Sequence, residues 1–281
     1  MKVALLLYGQ PRNIDNMKVI ESHKNLIINK YDTDVFCHTY YSDDGTYTIN
    51  PYLKQEPIKC DKKYLDIINN EYRPYLKAFK YDKPLDEPDN YRFSLNKEKI
   101  DSNKFNNEYD LKIANLIITL YDKCTIRKSN EFSIMNDLSI TNNISQLYSI
   151  NKVNKMFEEY SNNNDITYDF IIVTRYDFII DNLPQLDTLD SNYFYISNDH
   201  IFFPDTINVF HPNFIKSQYT YENLDKILEK FLNDDRKIDY SYNDLKDFWD
   251  WSTECIKYNN YLLNYSNTLI KGIDICNHRC K

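Results

Sequence analysis

Glycine is almost absent: the 281 residues hold three, Gly9, Gly45 and Gly272. Phosphate cradles of the P-loop and dinucleotide type need several glycines at fixed spacing, because backbone must approach the phosphates closely. Three scattered ones build neither, which excludes P-loop ATPases and NAD enzymes with the usual fingerprint. A positive balance is missing as well. Against 34 Lys and Arg stand 42 Asp and Glu, a formal charge of -8, so a nucleic-acid backbone is not the expected partner. No segment approaches the roughly 20 apolar residues that span a bilayer. The N-terminal run in "MKVALLLYGQPRN" stops at Gly9, too short for a signal core and without a small-residue cleavage site. None of the six cysteines forms a C-x-x-C pair, and free thiols in a reducing, cytoplasmic setting are expected. "CNHRC" at 276–280 offers half a metal site at most. Serine or cysteine hydrolase chemistry finds no support: G-x-S-x-G is absent, and Cys37 and His38, adjacent in a strand, face opposite ways.

What is present reads as an α/β chain. "KVALLLYG" is a strand ended by Gly9 and the Gln10-Pro11-Arg12 turn. Met17, Ile20, Leu26 and Ile27 mark a helix over about 16–29, and "TDVFCHTY" (33–40) is a second strand. Strand, helix, strand predicts a parallel sheet. From about 41 to 140 the pattern loosens around Pro57, Pro74, Pro84 and Pro88. This stretch reads as a variable insertion in a single domain covering 1–281, with "DLKIANLIITLYDKC" its best helix. "SQLYSINKVNKMFEEYS" (145–161) carries Leu147, Ile150, Val153, Phe157 and Tyr160 on one stripe, the clearest helix of all. It leads into the apolar run "YDFIIVTRYDFII" (168–180). "NYFYIS", "HIFFP" and "INVFHP" are strand-like, and the C-terminal third is read as helical.

Arg175 and Asp177 interrupt that apolar run. In a strand they share a face while Tyr176 points the other way. At the C-terminal end of a parallel strand that face opens on the ligand crevice of an α/β sheet. A carboxylate there holds a divalent cation through oxygen, and a guanidinium grips phosphate bidentately. A salt bridge capping the strand end explains the pair equally well, and both readings stay open.

"LLLYGQPRN", "DVFCHTY", "QLYSINKVN" and "YDFIIVTRYDFII", in that order, resemble a group of bacterial and giant-virus glycosyltransferases of the GT-A fold. Those proteins carry a Gly-Gln-x-Arg turn, an Asp-Val-Phe-x-His-Thr strand, a Gln-x-Tyr-Ser helix and an Arg-x-Asp element. The resemblance implies a nucleotide-diphospho-sugar transferase-like, Rossmann-like fold with a mainly parallel sheet flanked by helices. It implies that Asp177 matches the last carboxylate of the Asp-x-Asp motif, which holds Mn²⁺ or Mg²⁺ on the sugar-nucleotide phosphates. Arg175 replaces the first Asp and itself neutralises part of the diphosphate, which leaves metal dependence open. By position, Gly9, Gln10 and Arg12 lie beside the nucleotide, His38 and Thr39 end the second strand, and Ser149 and Lys152 face the same crevice. For His38 a satisfied core histidine is the first reading and a ligand the second. For the base that deprotonates an acceptor hydroxyl, Asp199, after a strand in "ISNDHIFF", is preferred over Glu254 in the first turn of a helix. His211 as a metal ligand and Trp249 or Trp251 as sugar-stacking rings are weighed against ordinary structural roles.

The implied activity is transfer of a sugar from a nucleotide-diphosphate donor to a hydroxyl of a glycan or protein acceptor, in the host cytoplasm if the chain is viral. A sugar-nucleotide nucleotidyltransferase is one alternative, although "YGQPRN" poorly matches the Gly-rich, basic loop it needs. A catalytically inactive carbohydrate- or partner-binding module is the other.

Overall fold

The structure, a computed structural model, describes residues 1–47, 58–84, 105, 108–123, 137–197, 206–233 and 253–279. The chain starts with β1 (Lys2–Tyr8), α1 (Met17–His23) prolonged by a π-helical turn (Lys24–Ile28), and β2 (Asp32–Tyr40). The short strands β3 (Thr46–Tyr47) and β4 (Ile58–Lys59) precede α2 (Lys62–Tyr72) and β5 (Leu76–Asp82). Two helices, α3 (Glu108–Lys123) and α4 (Asp137–Asn164), lead to β6 (Phe170–Arg175), β7 (Phe178–Asn182), β8 (Phe194–Ser197) and β9 (Ile207–Phe210). After α5 (Leu224–Asn233) and α6 (Thr253–Asn264) come β10 (Ile270–Ile273) and β11 (Cys276–Arg279).

The seven-stranded central sheet has the order β10-β8-β9-β6-β1-β2-β5. Among the described residues only β9 runs antiparallel to its neighbours; the other pairings in this sheet are parallel. A strand with parallel partners on both sides and helices on both faces has no wet side, so its sequence is continuously apolar rather than alternating. β1 shows this directly: from Val3 to Tyr8 every residue is buried. Val3, Leu5 and Leu7 join Val19, Ile20 and Ile68 beneath α1 and α2. Ala4, Leu6 and Tyr8 join Ile150, Val153 and Phe157 of α4 and Tyr261 of α6 on the other face. The first half of α4 belongs to a separate core, where Ile140, Ile144 and Leu147 meet Ile113 and Ile117 of α3 and Leu224 and Leu228 of α5.

Three sequence readings need correction. "YDFIIVTRYDFII" is not one strand: β6 ends at Arg175, Tyr176 and Asp177 form a turn, and β7 leaves for a two-stranded antiparallel sheet with β11. The apolar return after Asp177 reflects burial under α1, where Ser22 Oγ accepts the Ile180 N–H at 3.1 Å. The stretch read as a variable insertion supplies β5, an edge of the central sheet. The C-terminal third is not purely helical, since it ends in β10 and β11. The run read as a strand at 200–204 lies outside the described residues. Cys37 and Cys60 are buried and form no disulfide, and burial pushes the Cys37 thiol up to about 12. Among the described residues no helix is long and apolar enough to cross a membrane.

One buried carboxylate ties the N-terminal edge of the sheet together. Asp34 in β2 accepts from Lys2 Nζ of β1 at 2.9 Å, Lys77 Nζ of β5 at 3.3 Å and the Tyr168 hydroxyl, just before β6, at 2.8 Å. Burial alone raises the Asp34 carboxyl, but hydrogen bonds from Lys2 and Tyr168 and the charges of Lys2 and Lys77 outweigh it and hold the group below its ordinary value. A carboxylate depressed on folding stabilises above its unfolded pKa, and that share is lost as pH falls through the folded one. Asp34→Asn is therefore expected to cost about 1–3 kcal/mol at neutral pH. It should also flatten the loss of stability on acidification below the ordinary value of 3.8. Urea denaturation of both chains across that range checks both effects; equal slopes would remove Asp34 from the acid response.

Candidate active site

The chain runs β1, β2, β5 outward on one side and returns through α4 to β6 on the other side of β1. The order therefore reverses between β1 and β6, and in open α/β sheets ligands bind outside the carboxyl ends of the strands at such a point. At that edge Lys80, His38, Tyr8 and Arg175 stand in one cross-strand row. Two side-chain clusters are built on it.

The first cluster holds the turn after β1. Gly9 has φ 95°, a backbone conformation that strains any residue with a Cβ. A Cβ placed there would meet nothing within 4 Å, so conformation rather than crowding requires glycine, and the turn faces open space. Both backbone groups of Gly9 are held by side chains. Its N–H donates to Ser149 Oγ of α4 at 2.8 Å, and the Thr39 hydroxyl of β2 donates to its carbonyl at 2.8 Å. Ser149 Oγ also lies 2.8 Å from His38 Nδ1, while His38 Nε2 lies 3.2 Å from Asp82 Oδ2 at the end of β5.

Proton positions in this cluster follow from donor and acceptor chemistry. Burial lowers the His38 pKa and outweighs the pull of Asp82, so the ring is neutral. The His38 bond in turn holds the Asp82 carboxyl below its usual range. A carboxylate only accepts, which puts the imidazole proton on Nε2 and leaves Nδ1 to accept from the Ser149 hydroxyl. The relay runs Gly9 N–H to Ser149 O–H to His38, and His38 Nε2–H to Asp82. Serine, histidine and aspartate in this sequence invite comparison with a hydrolase triad. Ser149 is 0% exposed and its oxygen already serves Gly9, so no substrate reaches it. The relay positions the turn.

The second cluster carries charge. Asp177, 1% exposed, accepts from Arg175 Nε at 2.8 Å on Oδ1 and from Arg175 NH2 at 2.7 Å on Oδ2. The Arg12 guanidinium reaches Oδ2 from the turn after β1 at 3.4 Å. Arg175 also lies over the Phe178 ring, 5.2 Å from its centroid, which fixes the guanidinium plane. Of the two readings left open by the sequence, the salt bridge is the one formed here, with Arg12 as a second cation on the same carboxylate. Both Asp177 oxygens accept guanidinium N–H groups, and among the described residues no group of three or more His, Cys, Asp or Glu suited to a metal occurs.

Of the residues marked in the sequence, Gly9, His38, Thr39 and Ser149 meet in the first cluster and Arg12, Arg175 and Asp177 in the second. His38 is the satisfied core histidine. Lys152, one turn beyond Ser149, lies over the Tyr148 ring at 4.9 Å. Burial works against its charge, but the Tyr148 hydrogen bond and the Asp82 charge prevail and raise its pKa. Gln10 is partly exposed in the turn. His211 Nδ1 accepts the Asn213 N–H at 3.3 Å and caps a 3-10 helix, a structural role. Asp199, Trp249 and Trp251 lie outside the described residues, as does the side chain of Glu254, whose backbone belongs to α6. Sequence reasoning missed Asp82 and the buried Lys257, whose ammonium donates to Asn208 Oδ1 at 2.9 Å. Asp82 had a signal, a Tyr-Asp pair closing a short run before Lys83 and Pro84, like the Tyr176-Asp177 pair after β6.

Ser149→Ala strips the Gly9 N–H and His38 Nδ1 of their partner in a dry site, and a loss of about 1–3 kcal/mol in denaturant unfolding is expected. A buried histidine with a lowered pKa stabilises fully above its unfolded value of 6.5 and progressively less as pH falls below it. His38→Gln should flatten part of that slope as pH falls below 6.5. His23, which burial lowers to about 4, contributes to the same slope. An unchanged slope would show that folding does not shift the His38 pKa.

No protein-family model matches the chain, and no curated protein sequence matches it either.

Proposed function

We propose that the protein is a nucleotide-sugar-dependent glycosyltransferase of GT-A type, moving a sugar from a nucleotide-diphosphate donor to a hydroxyl of a glycan or protein. The observation that carries this reading is the convergence of Arg12 and Arg175 on Asp177 at the switch point between β1 and β6. Two guanidiniums gathered on one carboxylate at that point suit an anionic ligand. The clamped Gly9 turn supports it, because open space beside a rigid backbone lets a diphosphate approach closely. The mostly parallel α/β sheet flanked by helices is compatible with the GT-A assignment. With Asp199 and the Glu254 side chain outside the described residues, the base that would activate the acceptor rests on sequence position alone.

A panel of nucleotide sugars tests the reading through thermal shift and donor turnover. A donor at 100 times its Kd stabilises by roughly 2.7 kcal/mol, a rise of several degrees for a chain of this size. The expected result is stabilisation by one family of nucleotide sugars, with slow donor hydrolysis or transfer. Stabilisation without turnover across an acceptor screen would instead favour the binding module. Pyrophosphate release from a nucleoside triphosphate and a sugar phosphate would favour the nucleotidyltransferase.

A further inference from the structure

The chemistry of the Arg12–Asp177–Arg175 cluster goes further than a general anion site. We propose that the donor diphosphate is neutralised here by the guanidinium pair without a divalent cation, and that Asp177 is a positioning residue for the two arginines. The inference rests on the reading that the ligand is a nucleoside diphosphate.

A carboxylate that binds Mn²⁺ or Mg²⁺ presents at least one oxygen to the ion. Both Asp177 oxygens already accept guanidinium N–H groups, from Arg175 in a bidentate fork at 2.8 and 2.7 Å and from Arg12 on Oδ2. A cation on Asp177 would break that fork and sit against two like charges. The carboxylate is buried, whereas the Arg12 and Arg175 side chains keep 14% and 13% of their surface. The anion is thus the most deeply buried member of the cluster, and the cations keep the surface that remains. Where most water is excluded, each guanidinium charge acts through a lower effective dielectric than it would at the surface.

The guanidinium also supplies the geometry. It carries five N–H donors in a rigid plane, and the pairing with Asp177 uses one edge of the Arg175 fork. That pairing and the Phe178 ring set the plane before the ligand arrives, so less side-chain freedom is lost on binding. Arg12 comes from the turn after β1 and Arg175 from the end of β6. A diphosphate lying across the switch point would meet one from each side. A lysine would deliver the charge but not the two-point contact.

The experiment is isothermal titration of the full chain with uridine, guanosine, cytidine, adenosine and thymidine diphosphates, in excess EDTA and again in Mn²⁺. The expected result is that at least one binds in EDTA with a Kd within about threefold of its value in Mn²⁺. Arg12→Ala and Arg175→Ala should weaken it about tenfold or more under both conditions. Asp177→Asn, of the same size but uncharged, should still bind in EDTA. Binding that appears only with Mn²⁺ would overturn the inference and leave the diphosphate reading intact. Binding of none of the five under either condition would overturn both. The wild-type comparison decides the matter even if a variant fails to fold.

Discussion

The Ser149 hydroxyl is the point on which the turn after β1 depends. It is one buried oxygen on α4 that accepts from the backbone of β1 and donates to a histidine on β2, whose other nitrogen donates to a carboxylate on β5. Buried polar groups are costly unless paired, so such a chain fixes the mutual positions of the elements that contribute to it. The opposite edge of the same three strands is held by Asp34, with Lys2, Lys77 and Tyr168 around it. The parallel half of the sheet is thus pinned at both ends by polar contacts, with apolar packing between them. The two pins differ in kind. Asp34 works through charge and responds to acid at low pH, whereas the Ser149 relay is neutral except at its outer carboxylate, 42% exposed at Asp82.

Holding the turn matters because the chemistry next to it is electrostatic. Arg12 stands three residues beyond Gly9, and its reach to Asp177 depends on where that turn lies. Two polar systems meet there: a neutral relay that fixes backbone and an ionic cluster that presents charge. The ionic cluster is assembled from residues far apart in sequence, yet each sits just beyond a strand that ends at the same edge. That is why short motifs separated by more than a hundred residues converge.

Much of this was legible because parallel strands announce themselves. The continuous apolar runs of β1 and β6, the short Val-Phe-Cys run of β2 and the single stripe on α4 place Gly9, Arg175, His38 and Ser149 without reference to a structure. Less was legible where apolar pattern is weak. β5, "LKAFKYD", alternates lysine with apolar residues at the sheet edge and leaves most of its residues partly or fully exposed, so neither a core run nor a clean alternation marks it. β10 is four residues long, two of them exposed. The break at Tyr176 and Asp177 was hidden for the opposite reason. Tyr176 is fully buried and β7 is packed under α1, so the apolar signal continues although the strand does not. Hydrophobicity reports burial, and only indirectly the sheet to which a residue belongs.

The length of α4 has a mechanical meaning. At 28 residues and 1.5 Å of rise each, it is a rod of about 42 Å. Its first half is seated among α3 and α5, and its second half lies on the sheet. Ser149 is near the boundary of these two seats, close to a fulcrum. A rod pivoting there displaces its far ends most and its fulcrum least. The helical layer formed by α3 and α5 can therefore shift with the N-terminal arm of α4 while the Gly9 contact moves little. That placement buffers the crevice floor against motion in the layer above it.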